Sequence, residues 1–332
     1  MQSTSQIKLI SSGIYLPKIV SSGELESKYS CISKGFSEKF SGVKNRHQVT
    51  FETNGFMGAR AIEQALDKAN LKLKDIDLLI SAAATFDYPL PSQSSVIKSE
   101  LKDGDKFHFS TFDVNSTCLS FVTALEIAGK MIDGNQYKNV VIVSSEISSK
   151  GLNSNNPETL SLFGDGAVAF VISHDPKGES GIIKSKVSTY SEGVFHTIIK
   201  GGGNVLHFKD TLYDEKLFSF QMKGIKMLKL AKREMPNFMK DFLKDSELTL
   251  PSFDVIVPHQ ASKTGIQLFK KMFDIKENQI VENIETHGNC IAASIPFLLH
   301  DTIEKNLLKR GQTCLLFGTS AGFSIGALAF KY

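Results

Sequence analysis

The feature that most constrains this chain is a series of short, β-branched apolar runs at residues 76–80, 140–144, 167–172, 253–257 and 313–317. Strands buried on both faces look like this. Between them lie stretches with helical periodicity, such as "GFMGARAIEQALDKANL" (55–71) and "FQMKGIKMLKLAKREM" (220–235). Strands alternating with helices predict an α/β layered fold with a largely parallel core sheet. The apolar tail "CLLFGTSAGFSIGALAF" (314–330) is short for a membrane span and is broken by glycine and serine. It predicts two buried strands around a turn.

A chain of 332 residues, 41% of them apolar, exceeds one compact domain and can bury a large core, so two packed halves are expected. "DIDLLISAAAT" (75–85) and "SFDVIVPHQAS" (252–262) each follow a helix. Further on come "TCLSFVTALEIAG", from Thr117, and "GNCIAASIPFLL", from Gly288. The repeated order suggests an internal duplication that sets helix starts face to face and brings Cys118, His259 and Asn289 together between the halves. Turn residues in "HDPKGES" place the boundary there, giving halves 1–175 and 176–332. "GGGN" (201–204) marks another loop.

The net charge of +3 is too small to argue for nucleic acid. The four cysteines are far apart and form no CxxC pair, which suits a reducing compartment. "MQSTSQIKLISSGIYLP" lacks the basic and apolar regions of a signal peptide. A cytoplasmic protein without a membrane span is expected.

The stretch "STFDVNSTCLSFVTALEIAGKM" (110–131) raises a question of chemistry. Phe121, Val122, Leu125, Ala128 and Ile132 recur at helical spacing, and Asn115, Ser116 and Thr117 stand where a cap belongs. Cys118 then falls in the first helical turn. Free N–H groups and the helix dipole there predict a lowered thiol pKa and a nucleophile; the same stretch also reads as a buried core thiol. His259 follows an apolar strand in "VIVPHQAS", at the strand end where α/β folds concentrate functional groups; taken alone, a histidine there is more often structural. Asn289 follows "ETHG" and opens a helix of small residues, as a functional amide or an ordinary cap.

The order of motifs resembles the ketoacyl synthase III branch of the thiolase superfamily, nearly end to end. The resemblance is carried by "SSGIYLP", "SGVKNRH" (41–47), "FGDGAVAFVIS" (163–173), "VPHQAS", "HGNCIAASIP" and the terminal "AGFSIGALAFKY". It implies a thiolase-like α/β fold of two similar αβαβα halves in a five-layered sandwich, and a homodimer. It further implies Cys118 as acyl-accepting nucleophile in a Cys-His-Asn triad with His259 and Asn289. The backbone N–H groups of Cys118 and of Ala321 would form the oxyanion hole. The implied reaction is decarboxylative Claisen condensation of an acyl-cysteine with a malonyl thioester, in fatty acid or polyketide-like metabolism. No metal or redox cofactor is implied, only thioesters on acyl carrier protein or coenzyme A.

Other signals point elsewhere and fail. "GTSAG" (318–322) fits a hydrolase nucleophile elbow, but no helix, acid or histidine follows it. His287 and Cys290 lack further ligands nearby for a zinc site, and "GGGN" lacks the lysine of a phosphate loop. Lysines 223, 226 and 229, with Lys232 and Arg233, form a basic stripe. That stripe reads as a solvated face or as a docking surface for an acidic carrier protein. The docking candidates are Lys223, Lys226, Lys263, Lys270 and Lys271.

The chain also departs from the resemblance. Phe36, Phe40 and Pro157 occupy positions where relatives clamp the coenzyme A nucleotide with tryptophan and arginine, so a carrier-protein donor is expected. Leu90 stands where relatives often place a phenylalanine that reaches an acyl pocket across the dimer; a smaller side chain predicts longer or branched acyl chains. Two rivals remain: the same acyl-cysteine with a non-malonyl acceptor (an alcohol, amine or second acyl thioester), and a non-catalytic partner subunit of a synthase.

Overall fold

The computed structural model describes residues 5–332; residues 1–4, where the expected first half and the stretch read for a signal peptide begin, lie outside them. The apolar runs are strands of two mixed sheets. The first orders Ile7–Tyr15 (β1), Gly166–His174 (β7), Asn139–Glu146 (β6), Leu78–Ala82 (β4) and Ser110–Val114 (β5). The second orders Gly181–Thr189 (β8), Ser324–Lys331 (β13), Thr313–Ser320 (β12) and Val255–Pro258 (β11). Two small ribbons complete the strands, Lys18–Ser21 (β2) with Asn45–Gln48 (β3) and Thr197–Ile198 (β9) with Gln221–Met222 (β10).

The sheets correspond strand for strand, β1-β7-β6-β4 to β8-β13-β12-β11. A parallel bridge from Ile256 to Ile280 stands where β5 lies in the first sheet. The expectation of largely parallel sheets needs correction. β4 runs parallel to β5 and β6, and β11 to β12, but β7 and β13 are antiparallel to both their neighbours. An antiparallel partner needs only a short return, here the three residues between β12 and β13, whereas a parallel partner needs a crossover.

Side-chain alternation builds five layers. Leu78, Ile80, Val140, Ile142, Val168 and Phe170 point into a central layer that also takes Val257, Leu316, Leu328 and Phe330 from the second sheet. The helices Ser120–Met131 and Ser294–Glu304 fill that layer. The intervening residues Leu79, Val141, Val143 and Ala169 pack outward on the helix Asn54–Ala69. On the far side, Leu315, Phe317, Ala327 and Ala329 pack on the helices Gly224–Leu243 and Lys263–Phe273. β4, β6, β7, β11, β12 and β13 are therefore dry on both faces over most of their length, each fully buried Leu, Ile or Phe contributing about 1.5–3 kcal/mol.

Some expected boundaries move, two of them for visible reasons. The run expected from residue 76 becomes a strand only at Leu78, because Asp77 turns its carboxylate onto the N–H groups of Lys138 and Asn139. The helix expected over 220–235 spans Gly224–Leu243 and runs through Pro236. Its buried face continues past the proline in Phe238, Met239 and Phe242, which outweighs the roughly 3 kcal/mol that an interior proline costs.

Candidate active site

β5 ends at Val114, and the chain passes through Asn115 and Ser116 into a 3₁₀ turn, Thr117–Leu119, before the central helix begins at Ser120. Thr117 has φ of 50°, a left-handed conformation that strains a β-branched residue by about 1–3 kcal/mol. Side chains hold it there. Asn115 Oδ1 accepts the Thr117 N–H at 2.9 Å, and Thr117 Oγ1 donates to the Ala321 carbonyl at 3.2 Å. Ser120 Oγ accepts the Ser116 N–H at 2.9 Å and donates to the Thr117 carbonyl at 2.6 Å. Cys118 is carried on this sharp turn, partly exposed, while Leu119 below it is fully buried.

The second half repeats the device. Asn289 Oδ1 accepts the Ile291 N–H at 2.9 Å, Ile291 has φ of 50°, and the Cys290 N–H donates to Ser294 Oγ at 2.9 Å. A 3₁₀ turn, Ile291–Ala293, then leads into the central helix from Ser294. Asn289 thus corresponds to Asn115, and Ala292 to Cys118. The sequence reading set the Cys-led and Asn-led helix starts against each other; the structure corrects this by three residues. The shared signal, Asn and Ser five apart in "NSTCLS" and "NCIAAS", is present in the sequence.

Asn289 is fixed from a third direction. Its N–H donates to the Leu162 carbonyl at 2.9 Å and its carbonyl accepts from Gly164 at 3.1 Å. A β-carbon on Gly164 would come 2.2 Å from the His287 carbonyl, so only glycine lets these strands of chain meet. The Asn289 Nδ2 donates one N–H to the Ala261 carbonyl at 3.3 Å. Its second N–H has no partner among the described residues.

His259 follows β11 and extends its ladder, its N–H donating to the Phe317 carbonyl at 2.7 Å. β12 passes at Gly318 between His259 and Leu119 of the cysteine turn. The imidazole is buried, and its Nδ1 has no partner among the described residues. Burial lowers its pKa to about 4, so the ring is neutral at physiological pH.

Cys118 behaves contrary to the expectation of a lowered thiol pKa. Burial pushes the thiol up to about 12, opposed by the Ala321 N–H, raised further by the Glu146 charge and lowered by its own N–H. A helix N-terminus offers only about 0.3–1 kcal/mol to an anion at the surface, and loss of water outweighs it. The N–H groups of Ala321 and Cys118 are the pair that the resemblance implied as an oxyanion hole, and both act on the sulfur. A thiol beside two fixed donors, with a neutral imidazole and an amide N–H nearby, suits acyl transfer and the stabilisation of an enolate oxygen.

The other predicted residues lie around this centre. Ser320 of "GTSAG" ends a strand that turns directly into another strand, which is not the strand–turn–helix of a hydrolase elbow. Phe36 and Phe40 stack with ring centroids 5.1 Å apart on the helix Phe36–Ser41, which packs on the helix opened by Pro157. Pro157 also lines an open cleft of about 750 Å³ with Asn153, Asn156, Glu158, Lys216 and Gln221, which does not include the cysteine, histidine or asparagine. Leu90 is 85% exposed, in a segment with exposed Phe86 and Tyr88. Lys223, Lys226 and Lys271 are exposed without an ion pair among the described residues, whereas Lys263 lies 3.7 Å from Glu285. Lys270 is held by Glu277 at 2.8 Å and by Glu282, which neutralises it as a docking charge. His287 lies 3.5 Å from Asp301 and its ring stacks on Phe297. Glu146 was not singled out from sequence, since it belongs to no local chemical pattern, and Gly318 was noted only as part of "GTSAG".

Residues 112–191 match the family 3-oxoacyl-[acyl-carrier-protein] synthase III, and residues 243–332 match the C-terminal part of that synthase. The first match contains Cys118, the second His259, Asn289 and Ala321. The beta-ketoacyl-[acyl-carrier-protein] synthase III of Vesicomyosocius okutanii is 31% identical over 325 residues, covering 98% of both chains. The crystal structure of 3-oxoacyl-[acyl-carrier-protein] synthase III from Aquifex aeolicus superposes with a TM-score of 0.86 at 27% identity, over 98% of this chain and 100% of that one. The priming beta-ketosynthase of the R1128 polyketide pathway shares the fold, with a TM-score of 0.86 at 22% identity over 100% and 97% of the two chains.

Proposed function

The chain belongs to the 3-oxoacyl-[acyl-carrier-protein] synthase III family, and from that premise we propose how its residues carry out the reaction. It is an acyltransferase of the beta-ketoacyl synthase III type that condenses an acyl group with a malonyl thioester. Neutral His259 takes the thiol proton as Cys118 attacks the acyl thioester carbonyl. The oxyanion forms against the N–H groups of Cys118 and Ala321. The donor's thiolate then leaves and recovers the proton, and acyl-Cys118 remains.

A malonyl thioester next loses carbon dioxide. The electron pair of the broken bond moves into an enolate whose oxygen accepts from the His259 ring N–H and the free N–H of Asn289. The enolate carbon attacks acyl-Cys118, and collapse of the second oxyanion expels the Cys118 thiolate, which takes up a proton from water, and yields a 3-oxoacyl thioester. Apart from that proton, thioesters are the only co-reactants in this scheme.

One observation carries the reading: two backbone N–H groups act on the Cys118 sulfur at a site that also holds a neutral histidine and an asparagine amide. Acyl carrier protein is the proposed donor and acceptor, supported by the uncharged Phe36, Phe40 and Pro157. Exposed Phe86, Tyr88 and Leu90 support a homodimer. β7 ending at His174 and β8 opening at Gly181 support halves meeting near residues 175 and 176. Among the described residues no helix is long and apolar enough to cross a membrane; a cytoplasmic site of action is part of the proposal.

The test is intact-protein mass after incubation with acyl-carrier-protein and acyl-coenzyme A donors, beside Cys118→Ala, followed by carbon dioxide release from labelled malonyl thioester. The expected result is a Cys118-dependent adduct and stoichiometric release. Acylation without carbon dioxide would favour a non-malonyl acceptor, and no adduct from any donor would favour a partner subunit; either overturns the proposal.

A further inference from the structure

The duplicated turns have duplicated surroundings. β6 and β12 are both eight-residue strands, and their pairing registers match: Val140 stands opposite Leu78 as Cys314 stands opposite Val255. Glu146 at the end of β6 therefore corresponds to Ser320 at the end of β12. The residues after them are Ile147 and Ala321. The hole at the active turn, formed by the N–H groups of Cys118 and Ala321, has a counterpart in the N–H groups of Ala292 and Ile147.

That counterpart is already filled. Glu146 is fully buried, and its Oε1 accepts the Ala84 N–H at 2.7 Å. Its Oε2 accepts the Thr85 N–H at 3.0 Å and the Thr85 hydroxyl at 2.5 Å. The Ala292 N–H also reaches this carboxylate, from a turn packed on β6. The remaining donor, Ile147 N–H, is satisfied at 3.1 Å by the same Thr85 hydroxyl. The second hole is thus closed from within: the Glu146 carboxylate takes its Ala292 N–H and the Thr85 hydroxyl its Ile147 N–H.

We propose that Glu146 is a positioning residue that locks the Asn289 turn through Ala292, setting the amide N–H that receives the enolate oxygen. This rests on the catalytic reading of Asn289 given above. Asn289 and Ala292 belong to one turn, whose strained Ile291 is tied to Asn289 Oδ1. Four neutral donors on one buried carboxyl satisfy its acceptors, but no cation accompanies it in these contacts, and burying a carboxylate on those terms is unfavourable. Burial accordingly pushes the carboxyl up to about 7 against the pull of those donors. Its charge bears on both neighbouring thiols, adding to the burial that raises Cys118 and, with Asp165, to the burial that raises Cys290. A neutral glutamine of the same shape would fill the space but turn an N–H toward a donor.

Glu146→Gln and Glu146→Asp separate reach from charge. Glu146→Asp is expected to acylate at Cys118 like the parent enzyme and Glu146→Gln at least as fast, yet both are expected to lose malonyl decarboxylation and condensation on the order of 100-fold, as misplacement by about 1 Å does. Glu146→Gln is also expected to move the pH profile of Cys118 alkylation to lower pH, because the nearby charge is gone, while Glu146→Asp leaves that profile in place. Equal losses of acylation and condensation, or unchanged condensation in a folded variant, would overturn the proposal. Should Glu146→Gln not fold, Glu146→Asp decides alone by its acylation-to-condensation ratio. Failure of the parent enzyme to acylate would instead sink the catalytic reading, and the proposal with it.

Discussion

A β-carbon placed on Gly318 would lie 2.6 Å from the Cβ of His259 and 3.6 Å from Leu119 of the cysteine turn. The missing side chain is the space in which His259 sits beside the nucleophile. Gly318→Ala is therefore expected to displace the imidazole and lower condensation on the order of 100-fold, with an overpacking loss of about 1–3 kcal/mol. Carbon dioxide release and thermal unfolding read the two effects; an active, equally stable variant would show that His259 has room to spare.

The raised Cys118 thiol sets a kinetic signature. With its pKa near 12, the thiolate fraction grows across the whole accessible alkaline range. Iodoacetamide labelling of the Cys118 peptide, followed by mass spectrometry, should accelerate about tenfold per pH unit from 7 to 10. A plateau below pH 9 would mean that the helix start prevails over burial after all.

For His259 the sign runs the other way. Its folded pKa of about 4 is depressed below the ordinary 6.5 by burial alone. The stability linked to keeping it neutral is fully present above pH 6.5 and is lost as pH falls toward 4, by roughly 3 kcal/mol at most. The stability of the parent enzyme should thus fall over that window relative to His259→Gln in chemical denaturation. Decarboxylation should not decline between pH 7 and 5 through protonation of His259.

Carrier-protein docking should distinguish free lysines from paired ones. Lys223→Glu, Lys226→Glu and Lys271→Glu are expected to lower kcat/KM for carrier-protein substrates several-fold at low salt, with the difference closing as salt rises. Free pantetheine thioesters should be unaffected. Lys270→Glu should lower stability instead, since it sets a third carboxylate beside Glu277 and Glu282.

Leu90→Phe tests the acyl pocket. Leu90 is largely exposed in the single chain, so the substitution should leave folding intact. Adduct yields with acetyl, butyryl and octanoyl donors should shift toward the shorter chains. An unchanged preference would remove Leu90 from the pocket.

Much of this protein could be read from its residues in order. Continuous apolar runs became strands because both their faces meet helices, and alternate residues of one run separate into two cores, as Leu78 and Leu79 do. Cys118, His259 and Asn289 were visible because strand ends and helix starts are local events, written in a few adjacent side chains. The motif order around them by itself carries the family resemblance.

What only the tertiary structure decided depends on segments far apart in the chain. The pKa of Cys118 turned upward because desolvation is set by everything packed around the sulfur, including Glu146 from another strand. Gly318 acquired its role from His259, which follows the neighbouring strand β11. Local sequence specifies which groups a turn presents. Burial, charge proximity and steric room are properties of the assembled fold, because each is the sum of neighbours that the chain brings together only when it packs.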